Sequence, residues 1–310
     1  MNAFSMFGGR RPQGKDAPDP ALDAFLSDCS IEVMPRTAEK VADFRAILPA
    51  GTRVYIAHIA GTPIDDMVAT AARLRAEGMA PMPHFPARII ADTAELGDWI
   101  ARYQGEAGVD QGLILAGGVH APAGAFDSSM ALLDTGLFDK AGFRRLHVAG
   151  HPEGNRDIDA DGGHRVADAA LAWKQGFAEQ TDAEMAIVTQ FAFEPDPIIA
   201  WADRLRAQGI TLPVHIGVAG PAKLQTLIKY AIACGVGPSL RVLQRRAGDV
   251  TKLLLPFEPT EFLTGLARHR DETPDFNITH VHVFPLGGIG RAAEWLQGHG
   301  GHATAPARPA

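Results

Sequence analysis

The chain has 310 residues, of which 46% are hydrophobic and 21% charged, the balance of a folded globular protein rather than a disordered or fibrous one. Its 29 Lys plus Arg against 36 Asp plus Glu leave a formal charge of -7 with no basic run, which argues against nucleic acid as a partner. Cys29 and Cys234 without a CxxC, and no apolar run of about 18 residues, argue against a disulfide framework, a cysteine zinc site and a membrane span. No signal-like apolar core opens the sequence, so a reduced, cytoplasmic protein is expected.

Residues 1–20 and 298–310 are rich in Gly, Pro, Ala and polar side chains and are predicted to be flexible ends of a body spanning 21–297. Within that body, apolar β-rich runs at 30–34, 53–60, 80–85, 112–116, 144–150, 184–191, 212–218 and 280–284 read as strands. Helical periodicity predicts helices at 63–77, 93–103, 164–180, 196–208 and 222–234, with an extra pair at 238–244 and 259–270 before the last strand. Eight strand-then-helix units predict an α/β fold, a single (β/α)8 TIM barrel rather than an open doubly wound sheet. GxxxxGK[ST] is absent, and the GGIG at 287–290 lacks the context of a dinucleotide fold. It can still set glycine amides at a helix start before Arg291, a common barrel phosphate position.

A barrel carries its site where the strands end, because the βα loops converge there. In this sequence the strand ends hold Glu32, His58, His84, Gly117-Gly118, His151 with Glu153, Gln190 and the FPLGGIG run, with His215 on the seventh strand. Half-buried polar groups are costly unless they bind something, so the set reads as one site. Glu32 lies between Ile31 and Val33, and desolvation there is expected to raise its pKa to that of a general acid. Arg36 could pair with it, but the turn at Pro35 is expected to carry Arg36 outward. His84 could equally be a core histidine, and Gly117-Gly118 either a plain turn or an approach for a planar or phosphorylated ligand. His280 and His282 share a strand face at a metal-ligand spacing but lack a clear carboxylate partner. A metal-dependent hydrolase or lyase using His58, His84 and His151 with Glu32 is the alternative that these residue types allow.

Taken in order, IEVMPRT (31–37), AHIAG (57–61), PMPHF (81–85), LILAGG (113–118), HVAGHPEG (147–154) and AIVTQFAF (186–193) resemble the methylenetetrahydrofolate reductase family, flavin-dependent (β/α)8 barrels, over residues 28–297. The resemblance implies an FAD-dependent oxidoreductase interconverting 5,10-methylenetetrahydrofolate and 5-methyltetrahydrofolate, with NADH, NADPH or a redox protein partner as electron donor. It implies Glu32 as catalytic acid, and Gln190, Phe191 and Leu224 on the folate side. On the FAD side it implies His58, His84, Gly117, Gly118, His151, Glu153, Arg156 and Lys174. No resident metal and no membrane are implied, and a homo-oligomer is compatible. The family's Arg-Gly-Asp at the fourth strand end is here Gly117-Gly118-Val119, its lysine pair is reduced to Lys174, and its aromatic residue after strand seven is Leu224. A folate-binding or methyl-transfer barrel without redox chemistry is the neighbouring alternative.

Overall fold

The computed structural model describes residues 19–235, 237–247 and 256–300. Eight parallel strands close into a barrel in sequence order: β1 (Ser30–Val33), β2 (Arg53–Ile56), β3 (Ala80–Pro86), β4 (Gln111–Leu115), β5 (Arg145–Gly150), β6 (Glu184–Ala192), β7 (Val214–Ala219) and β8 (Ile278–Phe284). Around them run α1 (Pro20–Leu26), α2 (Pro35–Ala38), α3 (Ile64–Ala76), α4 (Thr93–Ala107), α5 (Ser129–Leu133), α6 (Leu137–Lys140), α7 (Arg165–Ala178), α8 (Pro195–Ala207), α9 (Leu224–Ala233), α10 (Gly237–Ala247), α11 (Thr260–Glu272) and α12 (Ile289–Gly298). No helix among the described residues is long and apolar enough to cross a membrane.

The expected (β/α)8 barrel is therefore present, with the extra pair α10 and α11 following α9 between β7 and β8. Most of the predicted tails lie outside the described residues. Where they overlap, Asp19 caps α1 by accepting from the Ala21 amide, and α12 extends to Gly298. The sequence reading missed α1, α2, α5 and α6, helices of seven, four, five and four residues too short to express a period. It also extended β2 to residue 60, whereas the strand stops at Ile56. Beyond it the chain turns, with the Thr62 amide donating to the Ile59 carbonyl and Gly61 at φ +87°.

Helix α4 shows the local logic of the outer layer. Asp92 accepts from the Glu95 amide at its start, Gly108 ends it at φ +59°, and Leu96, Trp99, Ile100, Tyr103 and Ala107 turn one face to the barrel. Between strands and helices lies a continuous apolar shell that includes Ile31, Val33, Ile56, Phe85, Leu146 and Ile187. The barrel interior is different. A small cluster of Tyr55, Met82, Leu113 and Val188 shares it with buried His84, His147, His215 and His282, where branched aliphatic layers are the norm. A second apolar cluster, with Phe191, Phe193, Leu224, Leu227 and Phe257, seats α9 and α10 beside the C-terminal mouth.

Candidate active site

Strand alternation turns Ile31 and Val33 outward and Ser30 and Glu32 inward, and closure of β1 on β8 pairs Ser30 with His282. Glu32 Oε2 consequently lies 3.3 Å from His84 Nε2 and 3.8 Å from His282 Nε2. The His84 contact is an ion-pair approach and not a hydrogen bond. His282 Nδ1 is 2.9 Å from Ser30 Oγ, so a Nε2–H tautomer lets the ring accept from the serine and point its proton toward Glu32. Ser30, His282 and Glu32 thus form a serine-imidazole-carboxylate string with His84 on its other side.

This arrangement corrects the expected charge state of Glu32. Burial does push its pKa upward, but the contacts with His282 and His84 more than offset this and bring it down to about 2. Its carboxyl is ionised at neutral pH, while burial lowers the His282 pKa and keeps that ring neutral despite the carboxylate. Arg36 is exposed on α2 and takes no part, as the turn at Pro35 led one to expect. The carboxylate partner that the 280–282 pair lacked in sequence is Glu32 for His282, and Asp28, 3.4 Å away, for His280.

At the fourth strand end Gly117 adopts φ +93°, where a Cβ would sit 3.1 Å from Pro86 Cβ. Gly118 faces open space, since a Cβ there would meet nothing within 4 Å. Across the mouth, β6 carries one residue more than β7 between the pairs Val188 with His215 and Phe191 with Gly217. This bulge brings Gln190 and Phe191 side by side against the mouth, and it requires Gly217, whose Cβ would fall 2.3 Å from the Thr189 carbonyl. Gln190 and Phe191 line one small pocket with His151, Glu153 and Cys234.

The remaining expected residues are dispersed around that space. Lys174 reaches inward from α7, buried, with its Nζ 3.5 Å from the Ala149 carbonyl, and desolvation lowers its pKa to about 8. The neighbouring His151 falls to about 4 for the same reason, with Lys174 adding to the effect. Glu153 accepts from both the amide (2.9 Å) and the hydroxyl (2.6 Å) of Ser239, tying the β5–α7 loop to α10. Its pKa is raised by burial, with the Ser239 bonds acting in the opposite sense. Arg156 is exposed on that loop, and Leu224 is buried within the apolar cluster under α9.

His58 stands apart. Its ring stacks on Trp99 of α4 at 4.9 Å and its Nε2 is 3.0 Å from the Thr62 carbonyl, so its polar edge is partly spent on its own loop. That arrangement weighs against a metal shared by His58, His84, His151 and Glu32. Among the described residues no group of three or more His, Cys, Asp or Glu side chains is placed to hold a metal ion. Residues that sequence reasoning overlooked are Ser30, Tyr55, His147, Ser239 and Cys234. Alternation along β1 and β8 was the available signal for the first; the contacts of the others depend on long-range packing.

An anionic planar cofactor suits this donor set. A buried ammonium without an acidic partner and a glycine opening onto free space each leave something for a ligand to supply.

No protein-family model matches the chain. The chain is similar to the TTHB071 protein from Thermus thermophilus, solved after soaking with ZnCl2, at 14% identity over 62% of this chain and 66% of that one, with a TM-score of 0.28. The match thus spans just under two thirds of that protein, and at this level it supports no functional argument.

Proposed function

We propose that the protein is a flavin-dependent oxidoreductase that interconverts 5,10-methylenetetrahydrofolate and 5-methyltetrahydrofolate, similar to the methylenetetrahydrofolate reductase family. The observation that carries this reading is the Glu32 carboxylate held between His84 and His282 at the C-terminal mouth of the barrel, with Gln190 on the facing wall. His84, Gly117, Gly118 and Lys174 are the residues that would hold FAD, which when bound supplies the hydride chemistry.

The chain's own residues provide proton control and orientation. Glu32 rests ionised, and a ligand covering the mouth removes its remaining water and raises its pKa. The protonated carboxyl then delivers its proton to a nitrogen of the folate five-membered ring, assisting ring opening, and takes it back in the reverse direction. Gln190 presents both an amide donor and an amide acceptor, the pattern of a pterin edge. Phe191, packed beneath it by Phe193 and Phe284, keeps the bulge rigid.

An anaerobic titration of the purified protein with NADH, NADPH and 5-methyltetrahydrofolate in separate cuvettes tests the reading. Bleaching of a flavin spectrum by the folate is the expected result. A protein that neither retains nor binds FAD overturns it.

Gln190→Leu is expected to leave the flavin spectrum unchanged and weaken folate binding by roughly 1–3 kcal/mol, the cost of stranding a polar partner. Folate affinity measured by spectral titration checks this, and an unaltered affinity removes Gln190 from the site.

Lys174 gives a prediction that needs no substrate. Depression of its pKa from 10.5 to about 8 corresponds to a charge-burial cost on the order of 3 kcal/mol at neutral pH. Between those values the unfolded chain binds a proton that the folded chain does not, so this group's contribution to stability rises with pH across the window. Lys174→Met is therefore expected to raise the Tm of the cofactor-free protein at pH 7, by a margin that shrinks as pH climbs toward 10.5. Pyrophosphate should stabilise the wild type and leave the variant unmoved. Thermal unfolding with and without pyrophosphate measures both effects.

A further inference from the structure

The barrel interior holds a column of polar side chains that the proposed chemistry at Glu32 does not use. Below Ser30, the Tyr55 hydroxyl lies 2.6 Å from His147 Nδ1, and the Tyr55 ring packs edge-on against His282 at 4.4 Å between centroids. His147 meets His215 edge to face at 4.7 Å between ring centroids, and His215 stacks on His280 at 4.4 Å. His280 Nε2 is 3.4 Å from Asp28, which is 68% exposed at the N-terminal face of the barrel. Tyr55, His147, His215 and His282 are all buried, and His215 Nδ1 has no partner.

A row of imidazoles where a barrel normally packs branched aliphatic side chains costs desolvation free energy without improving the packing. That cost is understandable if the rings move something. Burial, reinforced by the nearby positive charge of Arg53, keeps His147 and His215 neutral. A neutral imidazole is donor and acceptor at once, the property a relay needs and an imidazolium lacks. There is also a demand for such a relay. Glu32 rests as a carboxylate and His282 as a neutral ring, so the proton that Glu32 must deliver has to be imported just when a ligand seals the upper mouth.

We infer that this column is a proton route running through the barrel axis, from the solvent-facing Asp28–His280 pair at the N-terminal mouth to Glu32 at the other end. Its upper half has two hydrogen bonds in place, His147 to Tyr55 and Ser30 to His282, and needs small side-chain shifts to close the links from Tyr55 to Ser30 and from His282 to Glu32. His147 passes its Nδ1 proton to the Tyr55 oxygen, Tyr55 its hydroxyl proton to Ser30, Ser30 its own to His282 Nδ1, and His282 its Nε2 proton to the Glu32 carboxylate. His282, Ser30 and Tyr55 each gain one proton and lose one, Glu32 keeps the proton it receives, and His147 stays neutral only when the lower half returns a proton to its other ring nitrogen. In the lower half His280, whose Nδ1 rests 2.8 Å from Thr279 Oγ1, and His215 both turn their rings to pass a proton toward His147, and His280 is reprotonated from solvent beside Asp28. Tyr55, His147, His215 and His280 act through Glu32 and are positioning residues for its proton.

The inference rests on the proposed role of Glu32, but part of its test is independent of that role. In full-length protein with nitrogen-labelled histidine, the solvent exchange of the His282 Nε2 proton is followed by NMR in the wild type, His280→Gln and Tyr55→Phe. Slower exchange in both variants is expected, because each breaks the column at a different point, one of them at the opposite end of the barrel from Glu32. Unchanged exchange in both means that the proton enters from the upper mouth, and overturns the route. Should Tyr55→Phe fail to fold, His280→Gln decides alone, since its side chain is one-third exposed at the barrel's rim. In steady state with flavin and folate, each variant is expected to lower kcat by about tenfold, with KM unchanged and a larger solvent isotope effect. A protein without flavin or folate activity refutes the proposed function while the exchange measurement still decides the route.

Discussion

Glu32→Gln is expected to slow the folate half-reaction by on the order of 100-fold or more, the span of general acid catalysis and about 2.7 kcal/mol of transition-state stabilisation. Glutamine keeps the shape of the side chain and can still face His282 and His84 with its amide oxygen, so the packing around Ser30 and His282 survives. What it lacks is a proton that can leave. Flavin retention and folate affinity are therefore expected to stay near wild type, as is flavin reduction by NADH or NADPH if either serves as donor. Stopped-flow oxidation of the reduced flavin by 5,10-methylenetetrahydrofolate isolates the step. Near-normal rates in the variant would eliminate Glu32 as the acid and move the role to His84 or His282, the two imidazoles within 4 Å of its carboxylate.

The pKa that Glu32 shows before any ligand binds sharpens this expectation. A group held at about 2 is a poor acid at neutral pH, so the free enzyme is not poised to donate. Raising the pKa by covering the mouth makes protonation follow binding and protects the proton from loss to solvent.

How much of this was legible in the sequence follows from what each feature depends on. The eight strands and their order depend on local apolar runs and on helical periods between them, and both survive in a single sequence. Glu32 and His84 were legible too, because a polar residue interrupting an apolar strand is visible without coordinates. The sign of the Glu32 shift was not. Its sequence neighbours Ile31 and Val33 point to the outer shell, since alternate residues of a strand face opposite sides, and they say nothing about the environment of the carboxyl. That environment is made by β3 and by β8, the latter some 250 residues away and brought alongside only when the barrel closes. A separation of 86 residues hid Ser239 from Glu153, and the interior column was hidden because its links join residues far apart in sequence across different strands. The bulge in β6 escaped because an extra residue in one strand is defined only against its partner.

Gly118→Leu is expected to yield a folded protein that retains no flavin through purification. The two adjacent glycines at the fourth strand end separate fold from function. A side chain at Gly117 would be strained twice, by a φ of +93° and by a Cβ 3.1 Å from Pro86, so substitution there reports on the backbone. Gly118 carries neither burden. Its backbone is not in the left-handed region, and a Cβ meets no atom within 4 Å. Leucine at this position should leave global stability within about 0.5 kcal/mol of wild type, as at other unconstrained surface sites. The branched side chain instead projects into the open space at the fourth strand end, from which a planar ligand would approach. The ratio of flavin to protein absorbance, read together with the Tm, separates the outcomes. An unchanged Tm with loss of flavin assigns the Gly118 opening to the cofactor, whereas a variant that is stable and fully yellow moves the flavin elsewhere on the mouth.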